Sequence, residues 1–166
     1  SGNLFVAYRG VLYWANVAIN LVIQSLTLST GVYQNAVQTV ATLPASGSLD
    51  VAQGLVHSKD DILYIPYVTV TTGQVASPFI ASLNATTWTN VALTLVQNMV
   101  PVPLAEYGNY LAVGMRPRNM QNENSIVLLW DRGGDSINNI HEEIDWGREQ
   151  LELVEEIDGV LVGIST

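Results

Sequence analysis

One hairpin recurs along this chain at nearly constant spacing, and that periodicity restricts the fold more than any other feature. Each time, an alternating apolar run reaches a two-residue turn, and a second strand opens with leucine at its second position. The turns are Arg9-Gly10, Asp60-Asp61, Gly108-Asn109 and Asp158-Gly159. The strands that follow are Val11-Leu12-Tyr13, Ile62-Leu63-Tyr64, Tyr110-Leu111-Ala112 and Val160-Leu161-Val162. The leucines at 12, 63, 111 and 161 are separated by 51, 48 and 50 residues. Gly, Asp and Asn suit such turns because they accept positive φ.

A second element follows each of the first three hairpins. It reads Ser25-Leu26-Thr27-Leu28-Ser29, then Ile80-Ala81-Ser82-Leu83-Asn84, then Val127-Leu128-Leu129-Trp130-Asp131. The chain then returns through a strand such as Trp88-Thr89-Asn90-Val91-Ala92-Leu93. Four short strands per ~50 residues is the make-up of a β-propeller blade. A unit this small cannot bury both faces of its sheet, so it stacks on neighbours. The expected fold is therefore all-β, a β-propeller or propeller segment of four-stranded antiparallel blades. The approximate blades are 3–50, 51–100 and 101–150, with a partial fourth over 151–166. A β-sandwich or jelly roll, which also uses many short strands, is the alternative. The segment from Glu149 to Ile157 places Leu151, Val154 and Ile157 at helical spacing, yet it aligns with the alternating Leu4 to Tyr8, which favours a strand.

The second hairpin resembles the Asp-box turn of sialidase-like propellers, which sets Ser, Asp, Gly and Thr-Trp around a tight bend. Asn84-Ala85-Thr86-Thr87-Trp88 is the nearest match. Asp131-Arg132-Gly133-Gly134-Asp135 is looser, and Ser29-Thr30-Gly31-Val32-Tyr33 looser again. All three depart from the full pattern, so the resemblance implies the architecture and not a sialidase activity. The charge-poor, Thr/Asn/Val-rich, cysteine-free composition also resembles propeller domains of tailed-phage virion proteins. Three repeats and one further hairpin do not close a ring of four to eight blades. The chain opens on Ser1-Gly2 and finishes inside the strand-like run Val160 to Ile164, which reads as part of a larger ring.

Charge narrows the partners. Residues 1–122 hold four acids and four bases, whereas 123–166 hold eleven acids against Arg132 and Arg148, giving the net −9. One lysine in 166 residues disfavours nucleic-acid phosphate and anionic membrane. The longest apolar stretch, Val17 to Ile23, is far short of the ~20 residues of a membrane span. The absence of cysteine excludes disulfides, thiol catalysis and Cys-based zinc sites. The expected partners are other protein subunits or copies of the same chain, with a glycan as the alternative. No cofactor is expected.

Chemistry-bearing residues are few. His57 and His141 are the only histidines, lack a metal-ligand pattern, and read as surface loop residues. No Gly-x-Ser-x-Gly elbow is present. Asp60, Asp61, Glu106, Asp131 and Asp145 are the candidates for a glycosidase carboxylate pair, although acids at hairpin turns serve turn geometry first. Asp131, Asp135, Glu142, Glu143 and Asp145 contain enough oxygen ligands for calcium, without EF-hand spacing. Asn84-Ala85-Thr86 is a formal glycosylation sequon that the turn already explains. Trp14, Trp88, Trp130 and Trp146 fit core packing, or stacking on a sugar if exposed. The longest loop, Arg116 to Asn124, carries two of the six bases, and Arg116, Arg118 and Asn119 form the first-choice contact surface. The functional expectation is a non-catalytic structural or interaction module of a larger assembly, such as a phage or viral tail or virion protein. A glycan-binding propeller of a receptor-binding protein is the alternative, and a sialidase- or glycosidase-like enzyme the second alternative.

Overall fold

The computed structural model describes residues 5–17, 20–29, 32–42, 48–70, 76–93, 97–119, 123–133 and 139–166, and these are all-β. Sheet 1 is the meander β1 (Phe5–Tyr8), β2 (Val11–Val17), β3 (Asn20–Ser29) and β4 (Val32–Thr42). Sheet 2 contains β5 (Ser48–Val51), β6 (Leu55–His57), β7 (Ile62–Val70), β8 (Ala76–Asn84) and β9 (Thr87–Ala92). Sheet 3 contains β10 (Met99–Pro101), β11 (Ala105–Tyr107), β12 (Tyr110–Pro117), β13 (Ser125–Trp130) and β14 (Ile140–Gly147). Sheet 4 is the hairpin of β15 (Leu151–Ile157) and β16 (Val160–Ser165). Among the described residues every pairing is antiparallel, between strands consecutive in the chain except that β5 pairs β7 and β10 pairs β12, and no sheet closes on itself. The segment that fits both a helix and a strand is the strand β15. Sheets 2 and 3 begin slightly before the repeat boundaries, at Ser48 and Met99.

The four recurring hairpins are the first two strand positions of the four sheets. Arg9-Gly10 and Asp158-Gly159 have positive φ at both turn residues (47° and 74°, 52° and 81°), the primed geometry whose twist suits a tight hairpin. In sheets 2 and 3 the first strand is split. β5 and β6 both pair with β7, and β10 and β11 both pair with β12. Between the halves, Ala52 N donates to Pro66 O at 3.0 Å and Val102 N to Gly114 O at 3.0 Å. Pro66 has no N–H to return, so the ladder breaks opposite it. A Cβ on Gly54 would lie 2.3 Å from Tyr64 O, so only glycine passes through that break.

Strand alternation sends successive residues of each hairpin to opposite faces. The repeated leucine faces the preceding sheet and the residue after it faces the following one. Leu63 is buried with Tyr8, Ile23 and Tyr13 between sheets 1 and 2. Leu111 is buried with Tyr64 and Ile80 between sheets 2 and 3. Leu161 packs with Ala112 and Val127 between sheets 3 and 4. Three apolar layers therefore lie between consecutive sheets in chain order, and each fully buried Leu contributes ~1.5–3 kcal/mol relative to exposure.

One tryptophan attends each layer. Trp88 meets Tyr13 edge-on at 6.3 Å, and Trp130 meets Tyr64 edge-on at 5.8 Å. Trp146 lies over Gly163, where an added Cβ would fall 2.3 Å from its ring. Ser125, fully buried, donates to Glu149 O at 2.7 Å and accepts from Leu151 N at 3.2 Å, which fastens sheet 4 to sheet 3. Gly163→Val is expected to displace Trp146 and destabilise the fold by about 1–3 kcal/mol. Denaturant unfolding followed by tryptophan emission measures it, and an unchanged midpoint would refute this packing.

Candidate functional site

Tyr8, His57, Tyr107 and Ile157 each close the hairpin before its turn in sheets 1 to 4, and the first three face the following sheet. His57 is therefore not a surface loop residue, as its sequence context suggested. It ends β6 with no exposure at all, because its register places it between sheets 2 and 3. Its Nδ1 accepts from Lys59 N at 3.3 Å, which leaves Nε2 as the ring nitrogen turned toward sheet 3. That Nε2 makes no hydrogen bond and lies 3.6 Å from Glu106 Oε1 of sheet 3. His141 is exposed, but on β14 and not in a loop, with its ring stacked on Tyr110 at 4.8 Å.

Around His57 the turns of neighbouring sheets are tied together. Glu106 accepts from Ser58 N at 3.2 Å and also from the Ser58 hydroxyl. Asp60 accepts from Ile62 N at 3.2 Å and from Tyr64 OH at 3.1 Å, and it pairs with Arg132 of sheet 3. Arg132 Nε donates to Asn109 O at 3.1 Å, and the Lys59 ammonium reaches Asn109 Oδ1. The junction of sheets 1 and 2 repeats the device. Tyr8 OH donates to Asp61 O at 2.8 Å and accepts from Ala85 N at 3.1 Å, while Arg9 pairs with Asp61 at 2.8 Å. The Arg9–Asp61 pair is well exposed and contributes under ~1 kcal/mol. The Asp60–Arg132 pair is mostly buried and hydrogen-bonded on both sides, so removing one partner costs more.

The carboxylates proposed for glycosidase chemistry are thus engaged in holding backbone. Asp131 accepts from Gly133 N at 2.7 Å and Asn139 Nδ2 at 3.0 Å. Asp145 accepts from Gly147 N and Asn124 Nδ2, both at 2.9 Å. Asp135 and Gly134 of the calcium loop lie outside the described residues, as do Thr30 and Gly31 of the first Asp-box-like turn. Among the described residues no three His, Asp or Glu side chains gather as a metal-binding set. Ala85, the middle residue of the sequon, sits at φ 54° in the β8–β9 turn.

Arg116 and Arg118 come together at an open pocket beside Asp50, Val100, Glu152 and Thr166. Arg116 is a strand residue, paired with Val100, because β12 extends to Pro117. Its guanidinium bonds Glu152 of sheet 4, so it joins two sheets as well as lining the pocket. Arg118 N donates to Asn98 O at 2.9 Å, and Asn119 beside it is exposed. Met120, Gln121 and Asn122 of the same loop lie outside the described residues. Elsewhere a groove is lined jointly by β6, β11 and β15, including Leu55, Glu106 and Leu153. Thus the first strands of three sheets share one concave surface.

Burial pushes the Tyr64 hydroxyl up to about 12, and the adjacent Asp60 carboxylate adds to this while Arg132 opposes it. Burial alone pushes Tyr67 up to about 12. The unfolded chain releases both protons near the ordinary pKa of 10, whereas the folded chain retains them. The stability they confer is present below about pH 10 and is lost between about pH 10 and 12, on the order of 2–3 kcal/mol for each. Urea midpoints are expected to fall across that window, and less steeply in Tyr64→Phe. Equal slopes would contradict the assigned burial.

Compared with protein-family models and with curated proteins, the chain matches none.

Proposed function

We propose that the chain is a propeller segment that serves as a non-catalytic structural and interaction module in a larger assembly of the tailed-phage or viral-particle kind. One observation carries the reading: consecutive antiparallel sheets bury the same hairpin leucine against the preceding sheet at three successive junctions. A radial arrangement accounts for two further features. The first strands of sheets 2, 3 and 4 line one concavity, as the inner strands of blades about an axis do. The polar ties also lie at hairpin turns, where rims of adjacent blades meet.

The absence of bond chemistry is argued from how the acids are used. Asp60, Asp61, Glu106, Asp131 and Asp145 all accept hydrogen bonds or ion pairs from turn and neighbouring-sheet groups. Their charge is directed at the fold. Trp88, Trp130 and Trp146 sit in the layers between sheets, which favours assembly over sugar stacking. The open pocket at Arg116 and Arg118, with Asn119 at its margin, is the proposed contact surface for a neighbouring subunit.

Electron cryomicroscopy of the protein in its assembly tests the architecture. Sheets disposed around a common axis are expected, and two layers packed as a sandwich would overturn the propeller reading. A panel of fluorogenic sialosides and glycosides, run beside a glycan array, tests the rest. Neither turnover nor glycan capture is expected, and a reproducible signal in either would replace the scaffold reading.

A further inference from the structure

His57 and Glu106 each lack something that the other can supply. The His57 ring has no exposure, and its Nε2 is a buried polar atom without a hydrogen bond. An orphaned group of this kind costs free energy that a partner recovers. Glu106 Oε1 of β11 lies 3.6 Å from that nitrogen. Glu106 accepts from Ser58 N and the Ser58 hydroxyl, both neutral donors. Among the described residues no Lys or Arg pairs with it.

The other charges around the ring are already matched. Nδ1 accepts from Lys59 N at 3.3 Å and lies 3.7 Å from Asp60 Oδ1. Asp60 is neutralised by Arg132 and accepts from Tyr64 OH. The Lys59 ammonium reaches Asn109 Oδ1 from an exposed residue. Asp61, which ends the turn, pairs with Arg9 of sheet 1. Two carboxylates, two cations and a phenol therefore surround the ring, and Glu106 is the carboxylate left without a cation.

We infer that His57 is a proton-operated latch between sheets 2 and 3. One proton from solvent converts the ring to imidazolium, in which both nitrogens donate. Nε2–H then bonds Glu106 Oε1, an approach of under ~1 Å to a charge-assisted distance. Nδ1–H gives up the Lys59 N–H and turns to Asp60 Oδ1, so the turn from Ser58 to Asp61 adjusts with it. Burial, Arg132 and Lys59 oppose the new charge, whereas the carboxylates at 3.6 and 3.7 Å favour it. Both cations are directed elsewhere and Lys59 is screened by solvent, so the carboxylates prevail. Glu106 also lines the groove shared by β6, β11 and β15, so closing the latch draws a negative charge from that surface. A proton held better by the folded than by the unfolded chain adds stability as the pH falls. Sheets 2 and 3 are thus held more tightly toward the acid end of the range, roughly pH 5 to 8, in which histidine changes charge. The inference needs only the contact of these two sheets and does not depend on the scaffold reading.

Two measurements test it. Nuclear magnetic resonance of isotopically labelled histidine, with His141→Gln to assign the two rings, follows His57 from about pH 8 to 5. The ring is expected to take up a proton while the chain stays folded. Urea unfolding of the wild type and of Glu106→Gln then gives the folding constant at both ends of that range. Acidification is expected to raise the wild-type constant by about tenfold relative to Glu106→Gln, which keeps an acceptor for Ser58 and lacks the charge. His57→Gln is expected to lose the same pH dependence, and it replaces Glu106→Gln as the reference if that variant does not fold. A ring that stays neutral down to about pH 5 would overturn the inference, and this is read with His57 and Glu106 both intact. So would a wild-type constant that falls, or does not change, relative to the variants, since burial would then outweigh the carboxylates.

Discussion

The burial of two apolar faces per sheet is the constraint on which this structure depends. A strand sends alternate residues to opposite sides, so a hairpin with apolar residues at consecutive positions needs a neighbour on each side. Leu63 and Tyr64 illustrate this: adjacent in β7, both buried, they belong to different layers. The same holds for Leu111 and Ala112 in β12. Each sheet is therefore incomplete alone, and its stability comes mainly from stacking. This is the energetic pattern of repeat proteins, in which interface terms carry much of the stability.

The polar residues follow the apolar stacking. Once consecutive sheets are in contact, their turns come close enough for side chains to cross between them. Tyr8 reaches two turns of sheet 2, and Arg132 of sheet 3 reaches Asp60 of sheet 2. His57 lies fully buried at such a crossing, its Nε2 aimed at Glu106 without a hydrogen bond. These ties favour one register of sheet on sheet over a sliding apolar contact. They also engage Asp60, Asp61 and Glu106, three of the acids considered for glycosidase chemistry.

Much of the β architecture was legible in the sequence because a hairpin writes its turn and its alternation locally. Three of the four turns, the all-β class and the strand at β15 follow from patterns a few residues long, while the turn of sheet 2 runs from Ser58 to Asp61 and not over Asp60-Asp61 alone. The packing of Trp146 was legible for the same reason, since Asp145-Trp146-Gly147 ends a strand at a glycine of φ 94°. What escaped depended on partners distant in sequence. The split of the first strand falls opposite Pro66 in sheet 2 and opposite Gly114 in sheet 3, positions that lie in the adjacent strand. The burial of His57 follows from its pairing with Ile62 across a four-residue turn, Ser58 to Asp61, whereas the two-residue turn read from the sequence puts Lys59 at that position. Arg116 appeared to open a loop because its pairing with Val100 joins two segments with no shared local signal.

The central claim is that one sequence position changes its worth according to whether a neighbouring sheet covers it. Unfolding free energies of Leu12→Ala, Leu63→Ala, Leu111→Ala and Leu161→Ala, at concentrations where the chain is monomeric, test it most directly. Leu63 and Leu111, fully buried between sheets, are expected to cost about 2–5 kcal/mol. Leu161, part-buried against sheet 3, is expected to cost less, and Leu12 close to nothing. Equal costs at all four positions, or a Leu12 cost matching that of Leu63, would contradict the stacked-sheet account.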